Sequence, residues 1–181
     1  MKFKIGFLID KKNNWIEENI KKNFNRNSSK YIYSISKDKR KFNKFDILFI
    51  IGYTKILTKK FLNRNNLNLV VHESALPRGK GFAPVQWQIL QNKNKIPITL
   101  FKADIKIDSG NIYEKDYFSI KKSDLNSEIR AKQSYATIKI IKKFLKKYPK
   151  VKFSRQRGET SYFRRRNSKD HKLNIFKNLK E

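Results

Sequence analysis

The sequence predicts an α/β fold with a mostly parallel central sheet flanked by helices. Three observations carry that reading. Apolar runs such as Phe45-Asp-Ile-Leu-Phe-Ile-Ile51 are continuous rather than alternating, as in strands covered on both faces. These runs alternate along the chain with segments of helical spacing. Glycine, proline and asparagine gather between them as turn signals.

The elements follow in order. Phe3–Ile9 is an apolar first strand. Asn13 or Asn14 can cap a helix over Trp15–Asn23, which has Glu17 and Glu18 in its first turn. Residues 25–30 form a polar turn, and Tyr31–Ser36 alternates as a second strand does. Phe45–Ile51 is the third strand, ended by Gly52, and Lys55–Leu62 has the spacing of a short helix. Leu67–His72 is the fourth strand. Pro84–Gln91 is helical, with Pro84 at the first turn, where a missing N–H costs nothing. Ile96–Lys102 and Ile112–Ile120 are strands, separated by an Asp108-Ser-Gly-Asn111 turn. Asp124–Lys147 is a long amphipathic helix with Leu125, Ile129, Ile138, Ile141 and Leu145 on one stripe, stopped by Tyr148-Pro149. The tail from Phe153 is basic and rich in turns.

At 181 residues the chain suits one domain with a sizeable core. With no cysteine, disulfide, thiolate–zinc and iron–sulfur chemistry are excluded. The apolar run near the N-terminus is too short for a secretory signal, and no run reaches transmembrane length. These features predict a soluble, cytoplasmic protein with no membrane partner. The net charge is +29. It reads either as a nucleic-acid footprint or as a compositional habit. Lysines outnumber arginines 34 to 10, and 18 asparagines accompany them, spread along the whole chain. A dedicated nucleic-acid binder clusters its cations and adds stacking aromatics. The diffuse pattern favours the second reading and an attraction for small anions.

Val70 to Leu90, VVHESALPRGKGFAPVQWQIL, departs from this background. It holds two of the six glycines, two of the four prolines and one of the two histidines. His72 falls at the carboxyl end of a strand, where open α/β sheets collect their ligands. Ser74 follows, then Arg78-Gly-Lys80-Gly, a loop able to approach an anion closely. Taken alone, His72 also fits a hydrogen-bonded core histidine, and Asp108 fits an ordinary Asx turn. His171 stands alone in the tail and is expected to be exposed. There is no phosphate-binding GxxxxGK[ST] loop, no GxGxxG after the first strand, no metal-ligand spacing and no GxSxG elbow.

Taken together, VVHESALPRGKGFAPVQWQIL and the later IPITLFKADIKIDSGNIY resemble the folate-dependent formyltransferases, in the branch of methionyl-tRNA formyltransferase-like and sugar N-formyltransferase enzymes. The motif-bearing likeness runs from about residue 47 to 113. It implies a Rossmann-like formyltransferase fold. It implies a catalytic domain over 1–150 and a short basic C-terminal extension over 151–181. The activity implied is transfer of a formyl group from 10-formyltetrahydrofolate to an amine, with no metal. His72 and Asp108 match the family's catalytic pair. Ile51, Gly52, Tyr53, Ile56 and Leu57 match the loop that lines the folate pocket. Ser74, Arg78, Lys80 and Gln86 fall on the substrate side. The family histidine donates a hydrogen bond to the oxyanion formed as the amine attacks, or passes a proton to the leaving nitrogen, and the aspartate orients it.

One position departs from the pattern. The wider family has asparagine two residues before the histidine, and here it is Val70. Asn68 lies on the same strand face but roughly 13 Å from His72, four strand residues at about 3.3 Å each. Gln86 or a loop N–H then remains as the donor. For the acceptor, an anionic, nucleotide-linked amino sugar is expected. About 30 residues follow the long helix, too few for the tRNA-binding domain of the tRNA enzymes, and the first loop lacks the glycines of a glycinamide ribonucleotide site. A tRNA acceptor, and a weakened basic binding protein on the same scaffold, stand as alternatives.

Overall fold

The computed structural model of the chain describes residues 2–11, 13–24 and 27–171, with the backbone alone at 14 and 171. The expected exposure of His171, a capping role for Asn14 and the last ten residues of the tail lie outside the described residues. Six strands form one sheet: β1 (Phe3–Ile9), β2 (Tyr31–Ser36), β3 (Ile47–Ile51), β4 (Leu67–His72), β6 (Lys95–Lys102) and β7 (Ile112–Ser119). Their spatial order is β2-β1-β3-β4-β6-β7. Three of the pairings are parallel, and β6 and β7 add an antiparallel edge. The sheet is therefore mostly parallel, as predicted. The chain steps from β1 outward to β2, then returns to place β3 on the other side of β1. That reversal opens a crevice at the carboxyl ends of the strands.

The continuous apolar runs are covered on both faces. On one face, Phe7, Phe49 and Leu69 pack beneath α1 (Asn14–Phe24) and α4 (Asn126–Lys147). Phe7 stacks on Phe49, and Phe144 of α4 meets Phe49 edge-on. On the other face, Leu8, Leu48 and Ile50 pack with Phe42 and with Phe61 of α2 (Lys59–Leu62). Full burial of an aliphatic or aromatic side chain contributes about 1.5–3 kcal/mol, so these two layers hold the sheet rigid beneath the crevice. Among the described residues, no helix is long and apolar enough to cross a membrane.

Three expectations are corrected. The helix expected over Lys55–Leu62 is only Lys59–Leu62, because Thr54 is tied to Asp10 through its N–H and hydroxyl and Thr58 caps the helix at Phe61 N. Residues 52–57 form an irregular loop instead. The long helix starts at Asn126 rather than Asp124, whose carboxylate accepts from Lys121 N and pairs with Lys132. Leu125 therefore leaves the apolar stripe and is 68% exposed. Lys80–Gly81, read as loop, is a two-residue strand (β5), because the tail returns to pair with it in parallel as β8 (Tyr162–Phe163). α3 spans Pro84–Leu90.

Candidate active site

β4 delivers His72 to the carboxyl edge of the sheet, where it is buried. Its Nε2 lies 2.8 Å from Gly79 O. A carbonyl only accepts, so Nε2 carries the proton in this arrangement. The same nitrogen is 3.8 Å from Asp108 Oδ2. Thirty-six residues of separation in sequence thus close to a contact pair.

Asp108 is held as firmly as the histidine. Its φ of 50° is left-handed, a conformation in which Asp is among the few tolerated non-glycine residues. Its Oδ2 accepts from Gly81 N at 2.8 Å. Two residues on, a Cβ at Gly110 would stand 1.9 Å from Lys102 O, so only glycine lets the turn lie against β6. Gln156 of the tail donates to both Asp108 O and Gly110 O at 2.9 Å. The 79–82 loop is clamped in the same way. Gly79 N donates to Ser161 Oγ, Lys80 N to Ser161 O and Phe82 N to Phe163 O. Gly81 has φ 97°, and a Cβ there would meet Phe163 O at 2.4 Å.

The pair opens onto a cleft of about 450 Å³. Ile51, Gly52, Tyr53, Ile56 and Leu57 line one side of it, and Gln86 lines it near the start of α3. The Tyr53 hydroxyl is raised above its ordinary pKa by burial, with Asp10 and Asp38 adding to the effect. Ser74, Arg78 and Lys80 are not on the cleft wall. Ser74 is buried, and its carbonyl accepts from Thr99 Oγ1. Arg78 is exposed and paired with Glu159 at 2.8 Å. Lys80 is buried, donates to Ser109 Oγ at 3.0 Å, and is lowered below its ordinary pKa by burial and by Lys106, with Asp108 opposing.

Sequence reasoning missed part of the cleft wall. Trp15 at the start of α1 and Arg130, Gln133 and Thr137 of α4 line the same cleft, beside Glu73. A signal was present: three polar residues at helical spacing, 130, 133 and 137, on the side of α4 that otherwise buries Ile140, Ile141 and Phe144. Asn13 precedes α1, but its carboxamide is used elsewhere. It donates to Gly52 O and accepts from Trp15 Nε1, fastening the helix start to the cleft rim.

Residues 5–145 match the Formyl transferase family. The bifunctional polymyxin resistance protein ArnA of Wigglesworthia glossinidia brevipalpis is 31% identical over 150 residues, covering 81% of this chain and 22% of that protein. This chain thus spans about a fifth of the length of that curated relative. The structure of methionyl-tRNA formyltransferase from Clostridium thermocellum superposes with a TM-score of 0.84 at 24% identity, over 98% of this chain and 79% of that one. That of WlaRD, a sugar 3N-formyl transferase solved with dTDP and 5-N-formyl-THF, superposes with a TM-score of 0.69 at 22% identity, over 98% and 75%. At these identities the two structures establish the shared fold.

Proposed function

The chain belongs to the formyl transferase family, and from that premise we propose that it moves a formyl group from 10-formyltetrahydrofolate to the amino group of an anionic amino sugar. The observation that carries the reading is the His72–Asp108 contact at 3.8 Å on the edge of a cleft large enough for small ligands. The 52–57 loop suits the folate, because it offers the apolar side chains of Ile56 and Leu57 beside Tyr53 on the wall of that cleft. Bound 10-formyltetrahydrofolate supplies the formyl carbon.

The chain's own residues then divide the work. His72 carries its proton at Nε2, bonded to Gly79 O, and exchanging that bond on ligand binding would present the proton where negative charge develops on the acyl oxygen, or to the departing nitrogen. Asp108, fixed by Gly81 N and by the tail, orients the imidazole. Val70 offers no amide for that oxygen. The loop amides at 79–82 are already bonded within the protein, whereas the Gln86 carboxamide lines the cleft with no hydrogen bond among the described residues. Gln86 is therefore the donor assigned to the role that asparagine has in the wider family. Residues 1–150 act as the catalytic unit, and the 151–181 extension serves it through Gln156, Ser161 and Phe163, which clamp the rim.

The amino sugar is supported by the cleft's size and by the likeness to WlaRD. The net charge of +29 and the likeness to the Clostridium thermocellum protein favour a second reading, formylation of an aminoacyl-tRNA. One experiment decides. Purified protein is incubated with 10-formyltetrahydrofolate and either a panel of nucleotide-linked amino sugars or methionyl-tRNA, and products are read by mass for the gain of one formyl unit. Formylation of a sugar supports the first reading. Formylation of the tRNA alone replaces it with the second. No product from either, with no folate binding, removes both.

A further inference from the structure

Arg130 differs from the other arginines whose ion pairs are seen. Arg40, Arg78 and Arg164 sit at the surface, each against a carboxylate. Arg130 is half-buried on α4 and reaches the cleft that His72 also lines. Among the described residues its guanidinium forms no ion pair. Its Nη1 donates to Gln133 Oε1 at 2.8 Å, and its Cζ lies over the Trp15 ring, 4.9 Å from the ring centroid. The carboxylate that bears on it is that of Glu73, whose Oε1 is already taken by Gln133 Nε2 at 2.6 Å. A guanidinium has five N–H donors in a planar fork. A cation withdrawn from water with an aromatic neighbour and no ion pair is a poor device for stability. It is a good one for capturing an anionic ligand, because the desolvation is already done.

We propose that Arg130, held by Gln133 and Trp15, is an anchor for an oxyanion group of the acceptor, either a phosphate or a carboxylate. Assigning that anion to the acceptor rests on the formyl-transfer reading above; the anion affinity does not. The placement fits one small ligand. Arg130 and His72 line the same cleft, and Arg130 is linked through Gln133 to Glu73, the residue next to His72, so one ligand can offer an anion to the anchor and an amine to the imidazole. Burial lowers the guanidinium below its ordinary pKa and Glu73 opposes, which agrees with a dry, incompletely compensated cation. Arginine stays charged regardless. Trp15 is itself fixed, through Asn13, to Gly52 O, so the anchor is part of the cleft wall rather than a free arm.

The test is titration calorimetry on the full chain with inorganic pyrophosphate and, separately, glucuronate, and needs no formyl donor. Wild type is compared with Arg130→Gln, Arg130→Lys and, as a control for lost charge in so basic a chain, Arg40→Gln. At least one anion is expected to bind wild type. Arg130→Gln should weaken it by about ten- to a hundredfold, the range of a lost charge-assisted hydrogen bond. Arg130→Lys, which keeps the charge but not the fork, should fall between. Arg40→Gln should stay close to wild type. Pyrophosphate as the tighter ligand identifies a phosphate group, glucuronate a carboxylate. The proposal is overturned if neither anion binds wild type, or if both Arg130 variants bind as Arg40→Gln does. If Arg130→Gln does not fold, as read by its melting transition, Arg130→Lys decides alone. Failure of folate binding in the same preparation removes the formyl-transfer reading and leaves the anchor standing. Formyl transfer with no Arg130 dependence of anion binding does the reverse.

Discussion

The two sides of the cleft nearest the chemistry are built in opposite ways. Around His72 and Asp108, backbone amides 79 to 82 are each bonded to the tail or to Asp108, and Gln156 grips both ends of the 108–110 turn. Across the cleft, the 52–57 loop is tied down mainly through Thr54 to Asp10, and Ile56 is 74% exposed. The first region is over-determined, which suits groups that must meet a reacting atom within a fraction of an ångström. The second leaves apolar surface open, which suits a wall that a ligand completes. The contrast separates positions whose loss should lower turnover from positions whose loss should weaken binding.

The largest effect tests the over-determined side. His72→Ala and Asp108→Ala should each lower kcat by about 10²–10⁴, the usual share of a positioned acid or base. Both variants should keep a cooperative melting transition. Wild-type turnover in either one would remove that residue from the mechanism and dissolve the contrast. Gln86→Ala comes next. One donor lost at a developing oxyanion costs about 10²–10³ in kcat. A change confined to KM would make Gln86 a binding group and leave the role vacated at Val70 to some other donor.

The unequal build also explains what the sequence could tell. His72 and Asp108 were legible because a short motif surrounds each of them. The clamp was not. β5 and β8 have two residues each and no periodicity, and the partner of Lys80–Gly81 arrives eighty residues later. The Gln156 contact is likewise a single long-range amide. The 52–57 loop misled for another reason. Ile56, Leu57, Phe61 and Leu62 have helical spacing, but Thr54 is bonded to Asp10 and Thr58 starts the helix only at Lys59. Counting the apolar stripe of α4 hid Arg130 and Gln133, polar residues on an inward-facing wall. Six strands and four helices were legible because each is a local pattern; the clamp and the Thr54–Asp10 tie depend on contacts between distant segments, and the start of α4 on the bond from Lys121 N to Asp124.

Ile56→Ala probes the open wall. Trimming an aliphatic side chain that becomes covered on binding forfeits about 1 kcal/mol, so KM for the folate should rise roughly fivefold. kcat should stay put, because an aliphatic side chain at position 56 can hold the folate but neither gives nor takes a proton. A fall in kcat at unchanged KM would show that the loop takes part in the chemistry and that the two sides are not separable.

The smallest effect concerns Lys80, buried inside the clamp. Its ammonium is held below the ordinary lysine pKa chiefly by burial, then by Lys106, with Asp108 pulling the other way. The sign follows from proton counting. Between the lowered folded-state pKa and the ordinary value of the unfolded chain, the unfolded chain binds more protons, so stability rises with pH across that interval. Below it Lys80 is charged in both states and its desolvation is fully felt. Lys80→Met removes the titrating group, so the melting temperature of the variant relative to wild type should be highest near pH 8 and should decline as the pH approaches 11. The slope is the diagnostic, since losing the Ser109 hydrogen bond shifts the two curves by a constant and leaves their divergence intact. Parallel curves across this range would mean that Lys80 reaches solvent readily, and that the clamp around Asp108 is looser than its hydrogen bonds imply.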